Sequence, residues 1–167
     1  MKTLLIVRHA KSSWENADTS DIDRPLNDRG KRDAPVMAQR IIKAGITIER
    51  FVSSPAKRAR QTAEYFIHAF GKKDKDIHFL PELYHASIST FKEVVGKLDD
   101  DAGTVALFSH NPGITAFVNL LTDTIRVDNM PTCAVFAVKA NAEHWQDFFS
   151  AQRELLFFDY PKLGTQI

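Results

Sequence analysis

An α/β fold is predicted, a three-layer sandwich with a mainly parallel central sheet and helices on both faces. Short continuous apolar runs alternate along the chain with stretches of helical periodicity, as in folds built from repeated strand–helix units. Runs such as "TLLIV" and "TVALFS" lack the apolar–polar alternation of a strand wetted on one side, so they read as covered on both faces. With 167 residues, 44% of them hydrophobic, and one cysteine, the core must come from packing and not from cross-links. Residues 1–167 are therefore expected to form one domain.

In chain order, "TLLIV" is the first strand. From Asp33 to Gly45 the apolar residues Ala34, Met37, Ala38, Ile41 and Ile42 follow helical spacing, and Gly45 suits a helix stop. "ERFVSS" is a second strand. From Pro55 to Phe70, residues Ala56, Ala59, Ala63, Phe66, Ile67 and Phe70 make one apolar stripe. "IHFL" is a short strand and "STFKEVVGKL" a short helix with Phe91, Val94, Val95 and Leu98 inward. "TVALFS" is another buried strand, followed by helical "PGITAFVNLLT"; "CAVFAVKA" and "ELLFFDY" supply two more strands. The acidic "DIDRPLNDRG" and the lysine-rich "GKKDKD" read as loops.

Composition narrows the function. Twenty-two basic residues against 21 acidic ones leave no basic excess for a nucleic-acid partner. The apolar run after "MKT" ends at Arg8, too soon for a signal sequence or a membrane span. The single Cys133 excludes an internal disulfide and suits a reducing cytoplasm. His68, His78, His85 and His144 share no metal-ligand spacing, and no cofactor motif is present. Cys133 sits in an apolar run and reads as core, whereas Trp14 and Trp145 suit either packing or a site rim.

Three strand ends carry the chemistry. In parallel sheets ligands bind beyond the carboxyl ends of the strands. Arg8 and His9 follow the first strand. "SSPAKRARQT" follows the second, with Ser54 as expected N-cap, Pro55 at the first helical position and Arg58 off the apolar stripe. "SHNPG" follows "TVALF", with His110 ahead of an Asn111 cap and Pro112. Two arginines and two histidines thus reach one sheet edge, and two of the junctions open onto helix N-termini, which attract anions. Any one junction is a commonplace, since "SSPAKRARQT" alone is also a capped basic helix with an Arg60–Glu64 pair. Together they point to a phosphate.

These residues resemble the histidine phosphatase superfamily, which includes phosphoglycerate mutases and acid phosphatases. Arg8-His9-Ala10 matches its strand-end Arg-His motif, Arg58 its second arginine and His110 its second histidine. "RHAKSSW", "DRPLNDRG" and "SHNPG" resemble most the SixA-type phosphohistidine phosphatase branch, and the resemblance runs from Met1 to about Ala140. It implies a phosphoglycerate mutase-like fold and a hydrolase that uses no metal. A neutral imidazole is a competent nucleophile towards phosphorus, and guanidinium groups match phosphoryl oxygens. His9 is accordingly expected to be the nucleophile, Arg8 and Arg58 the phosphate clamps, and His110 a partner to the same oxygens. Arg24 matches a further basic residue of the SixA-type pattern that contacts phosphate or substrate, and also reads as a solvated arginine beside Asp21 and Asp23. Asn111 stands where the acid phosphatases carry a proton-donating aspartate. Glu82 is the nearest match to the mutases' glutamate, and equally reads as a loop carboxylate. The implied partner is a phosphorylated protein or a small phosphorylated molecule, and a phosphomutase or an idle phosphate-binding module are the competing readings.

Overall fold

The structure, a computed structural model, describes residues 1–163. Its centre is β1 (Lys2–Arg8), whose alternating side chains divide the core in two. Leu5 and Val7 pack with Ala34, Met37, Ala38 and Ile41 of α1 (Asp28–Lys43) and with Ala63, Phe66 and Ile67 of α2 (Lys57–Ala69). Leu4 and Ile6 pack on the other face with Phe91 and Val95 of α3 (Ile88–Gly96) and Phe117 and Val118 of α4 (Gly113–Leu121). This is the expected three-layer arrangement. Trp145 belongs to the second layer: it is fully buried, and its indole N–H donates to the Ala102 carbonyl at 2.9 Å.

The remaining strands are β2 (Arg50–Ser53), β3 (Ile77–Phe79), β4 (Thr104–Ser109), β5 (Val135–Ala140) and β6 (Arg153–Asp159), and the sheet order is β3-β2-β4-β1-β5-β6. β3, β2, β4 and β1 run parallel, whereas β5 is antiparallel to both β1 and β6. The sheet is thus mixed, because a parallel crossover needs a helix-length connection. Between β5 and β6 the chain offers only a 3₁₀ turn at Trp145–Asp147. After α4 the chain returns to the C-terminal edge, where the Cys133 N–H donates to the carbonyls of Arg8 and His9, both at 3.1 Å. β5 therefore starts where β1 ends. Cys133 is buried as expected but precedes the strand, in a left-handed backbone conformation with φ 61°.

Several helix starts differ from expectation. α1 begins at Asp28, not Asp33, because Asn27 caps it by accepting the Gly30 N–H at 2.9 Å. Part of "DIDRPLNDRG" is therefore ordered structure, including a 3₁₀ turn at Asp21–Asp23. Gly30 is required by contact, since a β-carbon there would lie 2.2 Å from the Lys11 carbonyl oxygen. Ser54 does not cap α2, whose N-cap position is Ala56, and α4 begins at Gly113 with Pro112 at its N-cap. The Ser54 hydroxyl meets His110 instead, and the Asn111 amide donates to Asn129 Oδ1 and the Met130 carbonyl.

Candidate active site

Strand register brings the site together. Arg8 pairs with Ser109 across β1 and β4, and Ser53 of β2 pairs with Phe108 of β4. The residues that follow, His9, His110 and Ser54, therefore emerge side by side at one edge. The His9 and His110 rings lie 5.1 Å apart between centroids, tilted by 49°. Behind them the buried Thr62 of α2 locks the junction, accepting the Ala10 N–H at 2.9 Å and donating to the Arg58 carbonyl at 2.8 Å.

His9 is held in one tautomer. Its Nδ1 lies 2.7 Å from the Ala10 carbonyl, which only accepts, so Nδ1 carries the hydrogen and Nε2 the lone pair. Burial above all brings its pKa down to about 3; the Ala10 hydrogen bond, the next largest effect, opposes this, and the charges of Arg58, Arg8 and Arg24 add to the lowering. His110 is likewise brought down to about 2 by burial first and then by His9 and Arg58. Both rings are therefore neutral near pH 7, and His110 adds no positive charge. His110 Nε2 meets Ser54 Oγ at 2.7 Å, and that oxygen also accepts the Ala56 N–H at 3.2 Å.

The guanidinium groups are partly engaged. Arg8 Nη1 donates to the Met130 carbonyl at 2.8 Å. Arg58 donates from Nη1 to the Asp21 carbonyl at 2.6 Å and from Nη2 to Asp21 Oδ2 at 3.1 Å. Among the described residues, the buried side-chain nitrogens and oxygens without a hydrogen-bond partner are Arg8 Nε, Arg58 Nε and His110 Nδ1. All three belong to this constellation. Such groups are costly in a dry interior, and a bound group with acceptor oxygens would satisfy the two guanidinium nitrogens. His9, Arg58 and His110 are only 6%, 5% and 6% exposed, so the site is recessed and not an open shallow pocket.

The other two candidates fall outside this cluster in different ways. Arg24 is buried, not solvated: it donates to Asp21 Oδ1 at 3.1 Å and to Ser12 Oγ at 2.8 Å, and its guanidinium stacks 3.6 Å from the centre of the Trp14 ring. Trp14 itself is 73% exposed, which makes it a rim residue. Glu82 lies in a 3₁₀ turn (Pro81–Leu83) that turns Leu83 into the core and leaves Glu82 outside, in a groove with Arg50, His78 and Lys97. The structure does not bring it to the histidines. Asp21 and Tyr84 are the residues that sequence reasoning passed over. The Tyr84 hydroxyl donates to Asp21 Oδ2 at 2.5 Å, and with Arg24 and Arg58 it holds that carboxyl well below the usual range. The Asp21–Arg24 spacing is the one sequence signal for this network. Among the described residues no cluster of three or more metal-binding side chains occurs, and no helix is long and apolar enough to cross a membrane.

A pH dependence of stability follows from the two neutral rings. In the unfolded chain each histidine titrates near ~6.5. Below that pH the unfolded state binds protons that the folded state refuses, so folding stability falls as the medium is acidified. The loss should begin near pH 6.5 and continue to about pH 3, at roughly 1 kcal/mol per pH unit for each ring. Asp21 adds its own loss only below its ordinary range, near ~4. Urea unfolding between about pH 7 and pH 4.5 should show this slope, and His9→Ala/His110→Ala should flatten it. An unchanged slope in that double variant would remove the histidines as its cause.

Comparison with known proteins agrees with this geometry. The family model of the histidine phosphatase superfamily (branch 1) matches residues 4–95, and the chain belongs to that superfamily. The match spans Arg8, His9 and Arg58, while His110 lies beyond it. In structure the chain is similar to a protein assigned as the phosphohistidine phosphatase SixA from Agrobacterium tumefaciens, with a TM-score of 0.78 and 25% identity, covering 96% of this chain and 98% of that one. The fold is shared with a protein histidine phosphatase SixA complexed with tungstate, at a TM-score of 0.79 and 24% identity, covering 95% of this chain and 97% of that one. An uncharacterized protein of Mycobacterium tuberculosis is 29% identical over 166 residues, covering 93% of this chain and all of the relative. A 2,3-bisphosphoglycerate-dependent phosphoglycerate mutase of Dichelobacter nodosus is 34% identical over 80 residues, covering 47% of this chain and 32% of the mutase.

Proposed function

We propose that this protein, a single domain over residues 1–167, is a metal-independent phosphatase that removes phosphoryl groups from protein histidine through a phosphorylated His9. The observation that carries this is the fixed, neutral His9 ring, with Nδ1–H bound to the Ala10 carbonyl and Nε2 free beside His110. Nε2 attacks phosphorus, and the bond from phosphorus to the substrate nitrogen breaks. The electron pair passes to that nitrogen, and the substrate ring, which carries a solvent-derived proton on its other nitrogen, leaves as neutral imidazole. Water then attacks the phosphoryl group on His9, the P–Nε2 bond breaks, its pair returns to the ring, and orthophosphate departs. Arg8, Arg58 and His110 hold the phosphoryl oxygens; the unpartnered Nε–H groups of Arg8 and Arg58 are donors available for this, and His110 Nδ1 joins them when Nε2 accepts from the Ser54 hydroxyl. Arg24 sets the rim through Trp14 and Asp21.

Substrate choice rests on proton supply. An alkoxide leaving group needs an acid beside it. Both histidines are neutral, Asp21 is ionised, and Glu82 faces another groove. The leaving ring of phosphohistidine can take its proton from solvent on its other nitrogen, so this site suits phosphohistidine better than a sugar-acid phosphate. The recessed histidines admit a phosphoryl group end-on from a side chain standing out of a partner protein. Cys133, buried with its thiol kept protonated, fits a reducing cytoplasm.

The test compares kcat/KM for a phosphohistidine peptide, an aryl phosphate and 3-phosphoglycerate, all in the presence of EDTA. Phosphohistidine should be hydrolysed fastest, the aryl phosphate weakly, and 3-phosphoglycerate least. Preference for 3-phosphoglycerate would favour a mutase-like role, and loss of all activity in EDTA would overturn metal independence.

A further inference from the structure

The carboxylate and carbonyl of one residue gather four side-chain donors beside the histidines. Asp21 Oδ2 accepts from the Tyr84 hydroxyl at 2.5 Å and from Arg58 Nη2 at 3.1 Å, and Oδ1 accepts from Arg24 Nε at 3.1 Å. The Asp21 main-chain carbonyl accepts from Arg58 Nη1 at 2.6 Å. The loop before α1, the first turn of α2 and the segment before α3 therefore meet on this residue. Both Nη atoms of Arg58 are committed to it, while Arg58 Nε is buried and unpartnered. A guanidinium can offer either its Nη1–Nη2 end or its Nε side to an anion. Here the end is occupied.

We infer that Asp21 is a positioning residue that fixes the plane of the Arg58 guanidinium, so that its Nε side faces the phosphoryl group in transfer. The inference rests on His9 as phosphoryl acceptor and adds a consequence of its own. Asp21 places negative charge close to an anion site, so it opposes ground-state binding while it organises the transition state. Removing its charge releases the Nη atoms and lowers the repulsion, yet lets the guanidinium wander. Catalysis and ground-state affinity should therefore move apart. A residue that merely kept the loop folded would lower both together.

The experiment measures kcat, inhibition by orthophosphate as a ground-state probe, and inhibition by vanadate as a transition-state probe. Asp21→Asn should lower kcat by about tenfold and weaken vanadate by a similar factor. Orthophosphate inhibition should stay equal or become tighter. In an Arg58→Ala background the same substitution should change kcat by less than about twofold, because the group it positions is gone. A kcat within about twofold of wild type overturns the inference. So does parallel weakening of orthophosphate and vanadate, or full additivity with Arg58→Ala. If Asp21→Asn proves unfolded by circular dichroism, Asp21→Glu takes its place: it keeps the charge and displaces the carboxylate. That variant should show the kcat loss with orthophosphate unchanged, and wild-type kcat in it overturns the inference equally. Failure of wild type to be labelled on His9 or inhibited by vanadate would instead overturn the phosphatase reading.

Discussion

Replacing His9 by alanine should bring turnover below detection, a loss on the order of 10⁴-fold or more, because the other nucleophilic groups near the described strand ends are engaged or buried. The alternatives are poorly placed for the role. His110 has Nε2 engaged with Ser54, and Cys133 is fully buried with its thiol held protonated. The fold should survive, since the ring makes one hydrogen bond, to the Ala10 carbonyl, and leaving that acceptor unpaired costs about 1–3 kcal/mol. The variant also loses one of the two rings that destabilise the fold in acid. Its stability deficit against wild type should therefore shrink as the pH falls below ~6.5. The direct measurement incubates each protein with a phosphate-labelled substrate, quenches in alkali, in which phosphohistidine survives, and locates the label. Wild type should carry it on His9. Activity above a few per cent in His9→Ala, or a label elsewhere, would end the proposed mechanism.

What the sequence discloses about this site follows from strand ends. Apolar runs that stop abruptly at Arg8-His9, Ser54 and His110 mark the same edge of a parallel sheet. The register of β1 on β4 then leaves His9 and His110 as neighbours. Polar bonds across long sequence separations are not readable in this way. Nothing in the pattern ties Arg58 to Asp21, because neither helical nor strand periodicity links residues 37 positions apart. Glu82 shows the same limit from the other side: which of Glu82 and Leu83 turns inward is decided by a single 3₁₀ turn. Strand direction is equally hidden, since "CAVFAVKA" and "ELLFFDY" bury the same side chains whether they run parallel or antiparallel. The start of α1 is masked by composition, for "LNDRG" looks like a loop until Asn27 is seen accepting the Gly30 N–H.

Replacing Arg58 by alanine should cost about 3 kcal/mol of transition-state stabilisation, roughly a hundredfold in kcat/KM. Arg58 is 5% exposed, so its charge acts on the phosphoryl group with little solvent screening. Two features separate this loss from a simple loss of charge. Arg58 is held end-on by the Asp21 carbonyl and carboxylate, an engagement that an ammonium cannot reproduce with one nitrogen. Arg58→Lys should therefore recover only part of the activity although it restores the charge. Arg58 also helps to keep the His9 ring neutral, behind the larger effect of burial. Without it the pKa of His9 should rise, and the acid limb of kcat/KM should move to higher pH. Circular dichroism measured alongside the rate distinguishes a lost clamp from a loosened helix, since disorder in α2 would lower the helical signal and loss of the guanidinium alone would not. A drop of less than threefold in Arg58→Ala, or full recovery by lysine, would take the guanidinium out of the reaction.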